Sequence, residues 1–177
     1  MIPDEGAALA LHRKHGSSEI IVEHCETVAR VSAILSKAFA ARGRHIDADA
    51  ALAGALLHDI GRTRTQEVGH GWVGAKLLEE EGVDPVVVEI VRRHVGAGIS
   101  PEEAAKLGFP EGDYVPRTLE QRVVCFADKM VSGDGVRPFE EEVKRFERKG
   151  HDVERLLELK KSLQDELGED PERLLLG

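Results

Sequence analysis

The stretch Asp47–Gly61, DADAALAGALLHDIG, limits the fold more than any other part of the chain. Asp47 suits a helix N-cap, and the residues after it are apolar or small nearly all round. A helix with no polar face must be enclosed by other elements, so this one belongs at the centre of a bundle.

The rest of the sequence reads as helices that could enclose it. A first helix is expected over about Asp4–Lys14, stopping at Gly16. Ser17 or Ser18 caps a long helix to about Ala41, closed by Gly43, with Ile21, Cys25, Val28, Val31, Ile34 and Leu35 at spacings of three and four. A helix near Gly71–Glu81 ends at Gly82, and Asp84-Pro85 opens the next as an N-cap followed by proline at the first helical position. Ser100–Glu103 and Thr118–Gln121 are capping boxes. Gly133–Pro138 reads as a loop, and Phe139 to about Leu174 as two or three charged amphipathic helices broken at Gly150 and Gly168. Alternating strand patterns are absent, so the expected fold is an all-α, single-domain helical bundle spanning 1–177. Its core lies at about 17–131, with an N-terminal helix at 4–15 and a C-terminal helical extension at about 138–175.

At 177 residues, 41% hydrophobic and 32% charged, the chain can bury a substantial core and is not of disordered composition. The N-terminus lacks a basic region followed by an apolar one, and no apolar run approaches a membrane span, so a cytoplasmic protein without membrane contact is expected. A net charge of −9 argues against non-specific nucleic-acid binding while leaving room for a local basic pocket. Cys25 and Cys125 fall in apolar helical patterns and read as reduced core thiols. The lack of Asn, with only three Gln, suits a heat-adapted protein. Trp72, the only tryptophan, is expected in the bundle core.

His58 and Asp59 end the central helix. Histidine and carboxylate are both metal ligands, and adjacent helical residues diverge by about 100°, so they share an ion only from a helix end. Gly61 would allow a sharp exit there. His24 and Asp128 also stand among apolar neighbours, and a buried aspartate needs a cation. Taken singly, His24 reads as a hydrogen-bonded core histidine and Asp128 as an ion-pair partner of Arg122 or Lys129; the ordered set of four points to a mixed nitrogen/oxygen metal site.

The order His24 … His58-Asp59 … Asp128, with its HDIG stretch, resembles the HD superfamily of metal-dependent phosphohydrolases over about Ser17–Val131. The resemblance implies an HD-type α-bundle, a divalent transition metal (Mn, Fe, Co or Ni) and water activated to hydrolyse a phosphate ester or anhydride. The layout is also similar to short archaeal HD-domain proteins. His70–Gly96 looks like the matching stretch of bacterial HD-type symmetrical diadenosine tetraphosphate hydrolases, which implies that His70 and His94 hold a second ion. That ion is expected on the Arg62 side of a bridging Asp59. The Gly-Tyr-Pro signature of cyclic-dinucleotide phosphodiesterases is missing.

Phosphate chemistry wants cations near the developing charge. Asp59 and Arg62 are the expected catalytic pair, and Arg62, Arg64, Lys129 and Arg93 the expected substrate contacts. The reading that results is a phosphohydrolase acting on a small phosphorylated substrate such as a nucleotide or dinucleotide, with a homodimer allowed. A mononuclear nucleotidase and a non-catalytic nucleotide-sensing module are the alternatives.

Overall fold

The computed structural model describes residues 1–133 and 135–176. Its helices are α1 (Glu5–His15), α2 (Glu19–Ala41), α3 (Ala48–Leu57), α4 (His70–Glu80), α5 (Pro85–Arg92), α6 (Pro101–Lys106), α7 (Leu119–Met130), α8 (Phe139–Lys149), α9 (Val153–Leu167) and α10 (Arg173–Leu176). A 3₁₀ turn, Ile60–Thr63, joins α3 to α4. The fold is all-α. No described helix is long and apolar enough to cross a membrane.

The caps are local and chemical. Asp4, Ser18, Asp47, Asp84 and Asp152 each accept a backbone N–H of the first helical turn, and both capping boxes close reciprocally at α6 and α7. Helix α3 lies at the centre, with Ala50, Ala51, Ala53, Ala55, Leu56 and Leu57 almost wholly buried. It packs on α1, α2, α5 and α7. A Cβ on Gly54 would sit 2.5 Å from Ile90, so α3 and α5 approach across a gap that only glycine leaves open.

Several expectations change at this level. Ile34 is 47% exposed while Leu35 is fully buried: the buried stripe of α2 runs through Val28, Val31-Ser32, Leu35-Ser36 and Phe39, and Ile34 lies outside it. Trp72 is only half-buried and packs on a small satellite cluster of Ile99, Ala104 and Tyr114, apart from the main core. The expected loop at Gly133–Pro138 is partly a hairpin: Val131–Ser132 (β1) pairs antiparallel with Gly135–Val136 (β2); its position 134 lies outside the described residues. Gly61 has no left-handed backbone, and the chain makes no sharp exit after Asp59. The helix tightens into the 3₁₀ turn instead. Glycine is needed there because a Cβ would lie 2.0 Å from the His70 carbonyl oxygen and 2.6 Å from the Gly74 nitrogen.

The C-terminal helices belong to the same core. Leu156, Leu159, Leu163 and Leu167 of α9 are buried, and α9 packs on α7, α8 and α2. Cys25 and Cys125 are buried free thiols.

Candidate metal centre

The ends of the inner helices meet at one point. His58 caps α3, Asp59 follows it, His70 opens α4, His94 stands just past α5, His24 lies in α2 and Asp128 in the last turn of α7. His24 Nε2 is 3.0 Å from Asp128 Oδ1, and His58 Nε2 is 3.4 Å from the same oxygen. Asp59 divides the remainder. Its Oδ2 faces His58 (3.7 Å) and His24 (4.0 Å), and its Oδ1 faces His70 (3.1 Å) and His94 (3.5 Å). Three overlapping triads result, each with donor atoms within 4.8 Å of one another: His24–His58–Asp59, His58–His94–Asp128 and Asp59–His70–His94.

Three of the histidines are held alike. The Nδ1 atoms of His58, His70 and His94 lie 2.8, 2.8 and 2.7 Å from the carbonyl oxygens of Ala55, Glu67 and Val91, each three residues back. An Nδ1–H donated to a carbonyl leaves the Nε2 lone pair for a cation and fixes the ring. The Nε2 atoms of His70 and His94 face each other 3.1 Å apart. His58 Nε2 and Asp59 Oδ1 are buried without a hydrogen-bond partner; Oδ1 is close to His70 but outside hydrogen-bond geometry. Orphaned buried ligand atoms of this kind are costly unless an ion satisfies them. The donor set therefore fits a divalent metal.

The electrostatics agree. Burial opposes the charge on Asp59, yet His58, His70 and His94 hold its carboxyl far below the usual carboxylate range. Asp128 is likewise held low against burial by Lys129, His58 and His24. Burial lowers His94 to about 4, aided by His58 and His70, so it is neutral and ready to ligate near pH 7. His58 moves the other way: burial pulls it down, but Cys25, Asp59 and Asp128 raise it well above the ordinary histidine value.

The cluster forms the floor of a cavity of about 900 Å³. Arg62 and Lys129 line it; Arg62 Nε forms an ion pair with Asp59 Oδ2 at 2.8 Å, and the largely buried Lys129 pairs with Asp128. Arg62 therefore sits on the His24 side of Asp59, opposite the expected position, because the 3₁₀ turn carries its guanidinium to Oδ2 while α4 and α5 deliver His70 and His94 to Oδ1. Arg93 leaves the site altogether: it is held by Glu89, Asp113 and the Val115 carbonyl. Arg64 is exposed and does not line the cavity.

Sequence reasoning overlooked two groups of residues. Behind the cluster, His12 bonds Ser17 and the Leu56 carbonyl, and His58 and His12 bring the Cys25 thiol down to about 7 although its burial acts to raise it. Arg145 and Lys149 of α8, with His151 just past its Gly150 cap, also line the cavity. No local signal marks them, since the charges of α8 read as a solvated face.

The HD-domain family model matches residues 21–132, a range that contains all six clustered side chains. The chain is 40% identical over 98% of its length to a tRNA (cytidine(56)-2'-O)-methyltransferase of Thermoplasma volcanium, and 39% identical over 96% to the enzyme so named in Picrophilus torridus. It covers 51% and 49% of those proteins, about half their length. An uncharacterized protein of Methanocaldococcus jannaschii is 42% identical over 77% of this chain and 80% of its own. No solved structure matches. These relatives correct the expected activity: those with a named function are tRNA methyltransferases, not phosphohydrolases, and none supports the narrower likeness to diadenosine tetraphosphate hydrolases. The fold, the match over most of the chain and the short archaeal relative agree on one conclusion, that the chain belongs to the HD domain family.

Proposed function

We propose that the chain is a divalent-metal-binding HD module that serves 2'-O-methylation of a tRNA cytidine, the activity for which its relatives are named. The observation that carries this reading is the identity of 40% across 98% of the chain. Because the chain spans about half of those relatives, the module works beside a separate segment or chain that holds the methyl donor. Among the described residues the fold has no parallel sheet with a glycine-rich strand-to-helix turn for such a cofactor.

His24, His58, Asp59 and Asp128 would hold one ion, and Asp59 Oδ1 with His70 and His94 a second. Nitrogen and carboxylate donors suit Mn, Fe, Co or Ni. When bound, such an ion supplies Lewis acidity and an anchor for oxygen ligands. Arg62 orients Asp59 through Oδ2, and Lys129 balances Asp128.

The reading is tested in the cell of origin by deleting the chain and quantifying 2'-O-methylcytidine in purified tRNA by mass spectrometry. Methylation is expected to fall, to return with the wild-type chain, and to stay low with an Asp59→Ala variant that accumulates normally. Unchanged methylation after the deletion would end the proposal.

A further inference from the structure

The cavity above the cluster is larger than an ion and its waters require, and its walls differ in character. At about 900 Å³ it falls in the range of small-molecule sites, roughly 300–1,000 Å³. Its lining includes the apolar Ile20, Ile21 and Val68, with Ile20 79% exposed. It also includes Arg145, Lys149 and His151. These three lie outside the matched HD range and come from one helix end. Arg145 and Lys149 are four residues apart and so share a face of α8. The left-handed Gly150 then turns the chain back, setting the His151 ring 5.4 Å from the buried Phe146.

The cations of α8 are not used alike. Lys144 pairs with Glu140, and Arg145 with Glu142. Among the described residues Lys149 makes no ion pair, although it borders the cavity. The four lining carboxylates, Glu23, Asp59, Glu67 and Asp128, are matched by Arg62, Lys129, Arg145 and Lys149. Any divalent ion on the floor then makes the cavity cationic within a chain of net charge −9.

We propose that α8 builds a phosphate subsite into this cavity: Lys149 and Arg145 bind the phosphate of a nucleotide unit whose base lies against Ile20 and Val68. The unit is either a free nucleotide or one residue of an RNA strand. The inference rests on the reading of the cavity as a metal site and not on the methylation reading, because its test measures binding and never methyl transfer.

The full chain loaded with manganese is titrated by calorimetry with cytidine, with cytidine 5'-monophosphate and with a single-stranded RNA hexamer. The Arg145→Glu, Lys149→Glu double variant should weaken phosphate-bearing probes about tenfold or more. It should leave the weaker binding of cytidine, the metal content and the melting temperature unchanged. A control double variant, Lys144→Glu with Arg148→Glu, makes the same change in charge on residues of α8 that do not line the cavity and should shift affinity less than about twofold. Loss confined to the hexamer assigns the subsite to an RNA strand, and equal loss for the mononucleotide assigns it to a free nucleotide. The proposal is overturned if both double variants weaken binding equally, or if no phosphate-bearing probe binds the wild type more tightly than cytidine.

Discussion

His58 shows how single-residue chemistry governs this site. Its ring is fully buried, its Nδ1 is engaged by the Ala55 carbonyl, and its Nε2 is the atom an ion would take. Without metal, a proton competes for that atom, and the negative groups around it raise its affinity for the proton despite burial. Raised above its unfolded value of about 6.5, His58 stabilises the metal-free fold below that pH, and the contribution is lost as pH rises through the raised value. Metal binding must expel the proton. Asp59 and Asp128 are already ionised, and His94 is neutral above about 4, so they add no slope near neutrality. Manganese affinity is therefore expected to climb by up to about tenfold per unit from about pH 6 up to the raised His58 value. The rise in melting temperature on metal loading should grow over the same interval. Titrations of chelator-stripped protein that are flat across that range would show that His58 is not a ligand.

Among elements, the 3₁₀ turn and α4 are set against each other backbone to backbone. Gly61→Ala would drive a Cβ into the His70 carbonyl, and no side chain can rotate to relieve it. A loss of about 3 kcal/mol or more is expected in denaturant unfolding. At Gly69, the N-cap of α4, an alanine Cβ meets only the Phe109 ring at 3.6 Å, so Gly69→Ala should cost no more than about 1 kcal/mol. Equal costs for the two would refute the close-approach argument. Much of this level was legible in the sequence, because caps act within one turn: Asp47, Asp84, Ser100 and Thr118 each open a helix as their neighbours imply. What depends on packing direction was not legible. Arg93 is turned outward by Glu89 and Asp113, Arg62 takes Oδ2 and not the side facing His70, and Ile34 yields the core to Leu35. The meeting of His24, His58, Asp59 and Asp128 was legible from ligand types at otherwise apolar helical sites, and that of His70 and His94 was implied by a family likeness; neither spacing nor periodicity alone reaches across five helices. The arrival of Lys149 from α8 had no precursor in the sequence, since an unpaired lysine on a charged helix looks like its solvated neighbours.

For the molecule as a whole, α9 makes the C-terminal extension part of the core. Its four buried leucines contribute roughly 1.5–3 kcal/mol each, together comparable to the entire stability of a typical domain, about 5–15 kcal/mol. A chain ending at residue 137 is expected to aggregate or lose its near-ultraviolet circular dichroism. A cooperative melt of that shortened chain would instead make the extension an accessory. The same global closure gives the ligand cluster its place in time. His24 and Asp128 touch across 104 positions of sequence. Bringing such distant points together carries a loop-closure cost that no single helix can offset before the bundle exists. A compact zinc knuckle gathers its ligands within one hairpin and can nucleate around its ion. Here an ion would be a late arrival, captured only by a chain whose topology is already correct, and its uptake during refolding would read out completed assembly.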